Sequence, residues 1–197
     1  MTELYDFTGF VRSDVYPLIL AINTIGKDLV GAEIGVERGN SFFTILHNCE
    51  IKKLYGIDSW QPYRDFLAGG DDTSEWRDVD QKMSDLNKLI FKHHLKHHLF
   101  YAKNSLKIEI IEKDTLDAVN DIADKSLDFI FFDAMMTEKQ TYDEARAYYP
   151  KIKKGGLFTG HDSGCKNQVM RPIRKIKDYY NNKNPIIDYS NCFLFRV

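Results

Sequence analysis

Five acidic residues stand in or shortly after apolar segments, where a carboxylate can accept hydrogen bonds from a ligand, hold a cation or take up a proton. Glu33 lies inside the first such segment, and Asp58, Asp114, Asp133 and Asp162 follow later ones. Open parallel sheets bind their ligands outside the carboxyl ends of the strands. If the apolar segments are strands of one sheet, these carboxylates lie at one edge and form one site.

The segment 33–41, EIGVERGNS, places two glycines between a predicted strand and a predicted helix. Gly35 and Gly39 let the backbone turn sharply and pass close to a ligand. Ser41 stands where a helix N-cap belongs, and the apolar residues after it recur with helical spacing. A strand, a glycine turn and a helix N-terminus together predict a nucleotide-type binding site.

The elements that must position these residues alternate between strands and helices, which predicts a doubly wound parallel α/β sheet. We expect strands over 30–36, 53–57, 107–111, 127–132 and 157–160, with a turn at 154–156 before the last. Two segments at 186–189 and 192–197 predict a hairpin that adds an antiparallel strand at or near the sheet edge.

Helices are predicted over 9–23, over 138–149 and along a segment that begins near residue 79. In that last helix the apolar stripe comprises Val79, Met83, Leu86 and Ile90. The insert 59–105 is long for a connection between strands, and its first part, 60–72, is a candidate lid.

Length and composition bound the class of protein. A chain of 197 residues predicts one domain over 1–197, and a net charge of −2 gives no pull toward nucleic acid or an anionic membrane. Three scattered cysteines predict reduced thiols, and the sequence pattern predicts neither a signal peptide nor a membrane-spanning run. These features predict a cytoplasmic protein.

The glutamates of the glycine segment discriminate between nucleotide-like ligands. A dinucleotide fingerprint has glycine where this chain has Glu37, and a carboxylate there would repel a pyrophosphate. Glu33 likewise favours a ligand that carries an ammonium group. S-adenosylmethionine has an ammonium, a carboxylate and a ribose, and it has no phosphate. A nicotinamide oxidoreductase is the alternative that these two glutamates disfavour.

The ordered motifs resemble the class I S-adenosylmethionine-dependent methyltransferases over nearly the whole chain. The segments are EIGVERG (33–39), LYGID (54–58), LDFIFFDA (127–134) and YPKIKKGGLFTGHD (149–162). The last is similar to a small branch of O-methyltransferases near the macrocin and catechol types. The resemblance implies a Rossmann-like sheet of seven strands in the order 3-2-1-4-5-7-6, with strand 7 antiparallel.

The resemblance also implies cofactor contacts. Glu33, Gly35, Gly39 and Ser41 would hold the methionine part, and Asp58 the ribose. Further cofactor contacts would come from Ser59, Trp60, Asp114, Thr115 and Asp133. As alternatives, the serine caps a helix and the acids close turns.

The methyl acceptor implied by this branch is a small hydroxylated molecule, whose oxygen must lose a proton. His161, Asp133 and Asp162 are the candidate catalytic residues. Asp133 and Asp162 could hold Mg²⁺ or another divalent cation, as in metal-dependent relatives, although His161 stands where those relatives carry an acid. His161 could instead act as general base.

One departure motivates a second hypothesis. Many members of the branch have a histidine three residues after the fourth-strand acid, where this chain has Met136. A catalytically inactive protein that binds the cofactor or a partner on the same fold is therefore the alternative function. The oligomeric state is open, with a homodimer as one option.

Overall fold

The computed structural model describes residues 12–62, 80–101, 107–134 and 137–197. They form a seven-stranded sheet in the order β3-β2-β1-β4-β5-β7-β6, which confirms the predicted fold. The strands are β1 (Leu29–Ile34), β2 (Ile51–Ile57), β3 (Lys107–Ile111), β4 (Leu127–Phe132), β5 (Ile152–Gly160), β6 (Ile187–Tyr189) and β7 (Cys192–Arg196).

The first five strands are parallel, and their register aligns their carboxyl ends. Ile34 of β1 pairs with Ile57 of β2 on one side and with Phe132 of β4 on the other. Phe132 in turn pairs with Gly160 of β5. The residues that follow these strands, among them Asp58, Asp133 and His161, therefore emerge at one edge.

The hairpin predicted at the end of the chain is confirmed, because β6 and β7 pair antiparallel and β7 also pairs antiparallel with β5. Ser190 and Asn191 connect them with φ of 54° and 61°. Two positive φ values match the handedness of the strand twist at a two-residue turn, and asparagine tolerates this conformation better than most residues.

Six α-helices flank the sheet within the described residues: α1 (Tyr16–Asn23), α2 (Asn40–Asn48), α3 (Gln81–Tyr101), α4 (Thr115–Ala118), α5 (Glu138–Tyr148) and α6 (Arg171–Tyr179). A 3₁₀ turn, Ser13–Val15, precedes α1, so only part of the predicted helix 9–23 is α-helical, and residues 9–11 lie outside the described part. Two buried apolar clusters fill the interior. Among the described helices, none is long and apolar enough to cross a membrane.

The start of α2 differs from the prediction. Gly39, with φ of +87°, is the N-cap, and Ser41 is the second residue of the helix. A Cβ at Gly39 would lie 2.6 Å from the ring of Phe43 and 2.7 Å from that of Phe91. Close packing and a left-handed backbone therefore require glycine at the cap, and the Ser41 side chain is left for another role.

The buried face of α3 is also not the predicted one. Met83 and Leu86 are 42% and 47% exposed, whereas Ser84, Asn87 and Phe91 are buried. Val79 lies outside the described residues. The aromatic side chains packed against Phe91 decide the orientation: Trp60, Phe42 and Phe43. Apolar spacing along this helix was thus a poor guide to which face packs inward.

β5 is longer than predicted, because it begins at Ile152 and runs through the glycines that we expected to form a turn. Its pairing with β4 shifts register between Leu127 and Phe129, and Gly155 has φ of +84°. The two glycines therefore produce a register shift within β5, where the sequence predicted a turn before the strand.

Candidate active site

Glu33 is fully buried near the carboxyl end of β1. Its Oε1 accepts a hydrogen bond from the Ser41 hydroxyl, whereas its Oε2 has no hydrogen-bond partner among the described residues. Burial raises the pKa of this carboxyl well above its usual value. A buried carboxylate with a free acceptor oxygen is a site for a cationic donor.

The glycine turn after β1 lies against the residues that follow β4. Gly35 has φ of +85°, and a Cβ at this position would lie 2.3 Å from the carbonyl oxygen of Asp133. Glycine is therefore required where the two turns meet. This contact brings the ends of β1 and β4 together beside Glu33.

Asp58 organises the turn from the end of β2. Its Oδ2 accepts the backbone N–H groups of Val36 and Glu37 at 2.9 and 2.8 Å, and its Oδ1 accepts that of Trp60 at 2.7 Å. Burial raises its pKa, and these backbone donors oppose that shift. Because each carboxylate oxygen has two lone pairs, acceptor capacity remains for a ribose hydroxyl.

Ser59 and Trp60 follow Asp58 directly. The Trp60 side chain is 4% exposed, its indole N–H donates to the Glu37 carbonyl at 2.9 Å, and its ring packs against Phe91. The Ser59 hydroxyl accepts the N–H of Gln61 at 3.3 Å. The structure thus places Trp60 between the glycine turn and α3, where it packs in the core.

Asp114 and Thr115 both bond within the fold at the start of α4. The Asp114 carboxylate caps the helix by accepting the N–H of Leu116 at 2.9 Å. The Thr115 hydroxyl donates to Glu144, which also accepts from Gln140. These are the bonds expected of a turn acid and its neighbour, and the cofactor contacts expected of Asp114 and Thr115 stay a prediction.

His161 lies among carboxylates after β5. Its Nδ1 is 3.0 Å from Asp162 Oδ1 and 3.5 Å from Asp133 Oδ1, and its Nε2 is 2.6 Å from Asp14 Oδ2. Burial lowers the pKa of His161, but the hydrogen bond to Asp162 and the nearby negative charges outweigh it, so that the pKa is raised. The imidazole is therefore stabilised in its charged form, with a carboxylate at each ring nitrogen.

Asp133 is bound from the other side by Arg12. Arg12 Nη1 lies 2.5 Å from Asp133 Oδ2, and its Nε and Nη2 lie 3.2 and 2.8 Å from the Asp14 carboxylate. Burial raises the pKa of Asp133, and the charges of Arg12 and His161 oppose that shift without cancelling it. Neither Arg12 nor Asp14 is predicted from the sequence, because no local pattern before α1 marks them as partners of the residues that follow β4 and β5.

The structure brings the predicted metal ligands together. Oxygen and nitrogen atoms of Asp133, His161 and Asp162 lie within 4.8 Å of one another. Two carboxylates and an imidazole are chemically able to bind a divalent ion. However, the Arg12 guanidinium is already paired with Asp133 and partly neutralises it, so this arrangement does not fit such an ion unless Arg12 moves. The Mg²⁺ site therefore stays a prediction.

Met136 and residues 63–79 of the insert, which include most of the candidate lid, lie outside the described residues.

Sheet order, antiparallel seventh strand and an acidic edge beside a glycine turn define a class I S-adenosylmethionine-dependent methyltransferase. A family model described as "Methyltransferase domain" matches residues 32–163, about two thirds of the chain. The chain belongs to this family, which confirms the resemblance in its motifs. No curated protein matches the chain in sequence.

Solved structures share the fold at low sequence identity. The O-methyltransferase NovP is 17% identical, with a TM-score of 0.64, 93% of this chain and 79% of NovP covered. The calicheamicin methyltransferase CalS11 is 13% identical, with a TM-score of 0.59 and coverage of 94% and 80%. MycE of the mycinamycin biosynthetic pathway, in complex with Mg and SAH, is 15% identical, with a TM-score of 0.55 and coverage of 92% and 48%.

The residues present fit S-adenosylmethionine. The unpartnered Oε2 of Glu33 is a suitable acceptor for the ammonium group, and pairing with a cation would offset the cost of burying an ionised carboxylate. The acids that follow β2, β3 and β4 lie along the same edge.

Proposed function

We propose that this methyltransferase transfers a methyl group from S-adenosylmethionine to a hydroxyl oxygen of a small metabolite. The buried, unpartnered oxygen of Glu33 is the observation that carries the cofactor part of the proposal. Neighbours of the same fold include an O-methyltransferase, NovP, which favours oxygen as the acceptor atom. A small molecule is also consistent with the net charge of −2, which gives no attraction to nucleic acid.

In this proposal each part of the cofactor has its own residues. Glu33 takes the ammonium group, and the turn from Gly35 to Gly39 lies along the methionine part. Asp58 takes a ribose hydroxyl with the remaining lone pair of its Oδ1, and Asp114 lies toward the adenine. Ser41 acts through Glu33, because its hydroxyl already donates to that carboxylate. Trp60 stabilises the turn, because its indole N–H donates a hydrogen bond to the Glu37 carbonyl.

S-adenosylmethionine, when bound, supplies a methyl group on a positively charged sulfur, which makes it reactive toward an oxygen nucleophile. The acceptor oxygen forms the new C–O bond as the C–S bond breaks, and the sulfur keeps that electron pair. The protein must hold the acceptor in line with the methyl group and must take up the hydroxyl proton.

Asp133 is the residue that we assign as proton acceptor. Its raised pKa makes it more basic than an ordinary aspartate, and it directly follows β4, beside the turn that begins at Gly35. His161 is less suited, because carboxylates at both ring nitrogens favour the form that already carries the proton. In this assignment His161 and Asp162 position Asp133 and shape the acceptor pocket.

Isothermal titration calorimetry with S-adenosylmethionine tests the cofactor part. We expect wild-type binding, and weaker binding for Glu33→Ala and Asp58→Ala, with Glu109→Ala on the partly exposed face of β3 as a control. No binding by the wild type would refute the proposal. Mass spectrometry of a metabolite pool incubated with the protein and labelled cofactor tests turnover. Binding with no methylated product would favour the inactive cofactor-binding alternative.

A further inference from the structure

The acidic cluster after β4 and β5 already contains a cation that belongs to the chain. Arg12 Nη1 lies 2.5 Å from Asp133 Oδ2, within charge-assisted hydrogen-bonding distance. The Arg12 side chain is 24% exposed and that of Asp133 is 14% exposed, so the pair is mostly removed from water. Such a pair persists better in salt than a surface ion pair does.

Arg12 is held in place by a packed part of the fold. Its Nε and Nη2 both bond to Asp14, which lies in the 3₁₀ turn Ser13–Val15. The next residue, Val15, is fully buried, and the Asp14 carbonyl accepts a hydrogen bond from the Cys192 thiol of β7. The guanidinium thus bonds to two carboxylates, those of Asp14 and Asp133, and each is held in place by a different part of the fold.

This arrangement competes with a divalent ion for the same oxygen atoms. A metal ion on Asp133 would need lone pairs of a carboxylate whose Oδ2 is bonded to Arg12 and whose Oδ1 faces His161 Nδ1 at 3.5 Å. It would also lie within a few ångströms of the guanidinium, where like charges repel strongly in a partly buried site. Arg12 and a metal ion are therefore alternatives at Asp133.

We propose that Arg12 is the resident cation of this site, that it excludes a divalent ion from Asp133 and Asp162, and that methyl transfer here requires no metal. Arg12 is a positioning residue in this role, because it fixes and partly neutralises Asp133. The inference rests on the proposed function for the reaction that it serves. Exclusion of the metal ion depends on how the side chains of Arg12, Asp133, His161 and Asp162 are arranged. It can therefore be measured without methyl transfer.

The experiment is titration of the full-length protein with Mn²⁺, followed by electron paramagnetic resonance of the free ion and repeated with Mg²⁺ by calorimetry. We expect Arg12→Ala to bind Mn²⁺ about tenfold or more tightly than the wild type, because removal of the guanidinium frees the carboxylates of Asp133 and Asp14. Arg12→Lys, which keeps the charge, is expected to remain close to the wild type. The surface variant Arg146→Ala is the matched control, since its guanidinium contacts Tyr179 on helix α6.

The location of the gained site is tested by a double variant. Arg12→Ala combined with Asp133→Asn is expected to lose the gained affinity. If Arg12→Ala does not fold, as judged by circular dichroism, Arg12→Met replaces it, because methionine retains a long apolar stem without the charge. Equal Mn²⁺ affinity of the wild type and the charge-free variant, whether tight or absent, would overturn the proposal.

Binding of S-adenosylhomocysteine is measured on the same samples. Failure of the wild type to bind it would count against the proposed function and leave the cation result intact. Conversely, cofactor binding together with tight Mn²⁺ binding by the wild type would overturn only the role of Arg12. The two proposals therefore fail separately.

Discussion

Arg12 and Asp133, which are 121 positions apart in the chain, form an ion pair of 2.5 Å at the carboxyl end of β4. The pair joins the segment before α1 to the acidic edge at the carboxyl ends of the parallel strands. It also places a fixed positive charge next to the carboxylate that we assign as proton acceptor.

Glu33→Gln separates ligand binding from stability. Glutamine keeps the shape and an acceptor for the Ser41 hydroxyl, while it removes a carboxyl whose pKa burial raises well above its usual value. We expect a melting temperature equal to or above that of the wild type without ligand. S-adenosylmethionine should bind about 10- to 100-fold more weakly, because a charge-assisted hydrogen bond contributes about 1.5–3 kcal/mol. Thermal melts and calorimetry check both, and a lowered melting temperature with unchanged affinity would contradict this role.

Asp133→Asn tests the proton acceptor. Loss of a general base typically lowers kcat by about 10²- to 10⁴-fold, and we expect a loss of this size with cofactor affinity nearly unchanged. The measurement is transfer of labelled methyl groups into a pool of hydroxylated metabolites. His161→Gln is the comparison: a larger loss there than in Asp133→Asn would reverse the assignment of the two residues.

Addition of a chelator should leave the activity of the wild type unchanged, because Arg12 supplies the positive charge next to Asp133. Methyl transfer is measured with and without ethylenediaminetetraacetate, and then with added Mg²⁺. Activity that disappears with the chelator and returns with Mg²⁺ would show instead that Asp133 and Asp162 hold a metal ion.

Phe91→Ala tests the orientation of α3. Phe91 is fully buried, with the rings of Trp60, Phe42 and Phe43 about it at 5.5, 5.6 and 5.5 Å. Its truncation should cost about 3–5 kcal/mol of the free energy of unfolding. Leu89→Ala is the matched control: this leucine is 65% exposed, and its loss should change stability by no more than about 0.5 kcal/mol. Urea denaturation measures both, and the reverse order would show that the other face packs inward.

Glu144 predicts a specific dependence of stability on pH. Burial raises the pKa of this carboxyl to about 7 from 4.5, against the opposing hydrogen bonds from Thr115 and Gln140. A raised pKa means that the folded state binds the proton more tightly. The contribution is therefore fully present below pH 4.5 and is lost as the pH rises through about 7, by about 3 kcal/mol in total. Glu144→Gln should remove this loss, and Glu50→Gln at the surface should retain it, as urea denaturation between pH 4 and 8 will show.

Local patterns in the sequence determined much of the fold. Buried strands read as short apolar runs, and β3 and β4 have the predicted bounds because turn residues delimit them clearly. The shared location of the acids could also be predicted, because parallel strands end at one edge of the sheet and the residues just after them lie at that edge. The order of the strands came from the family resemblance, and the pairing confirms it.

The tertiary structure decided which side chains face one another. The spacing along α3 marks Met83 and Leu86 as one stripe. Phe91 nevertheless faces inward, because it packs there against three aromatic rings. Ser41 has the chemistry of a cap, yet Gly39 takes that place and the serine bonds to Glu33. Arg12 meets Asp133 only through the folding of α1 onto β7, and a contact across 121 residues leaves no periodicity, spacing or local motif from which it could be predicted.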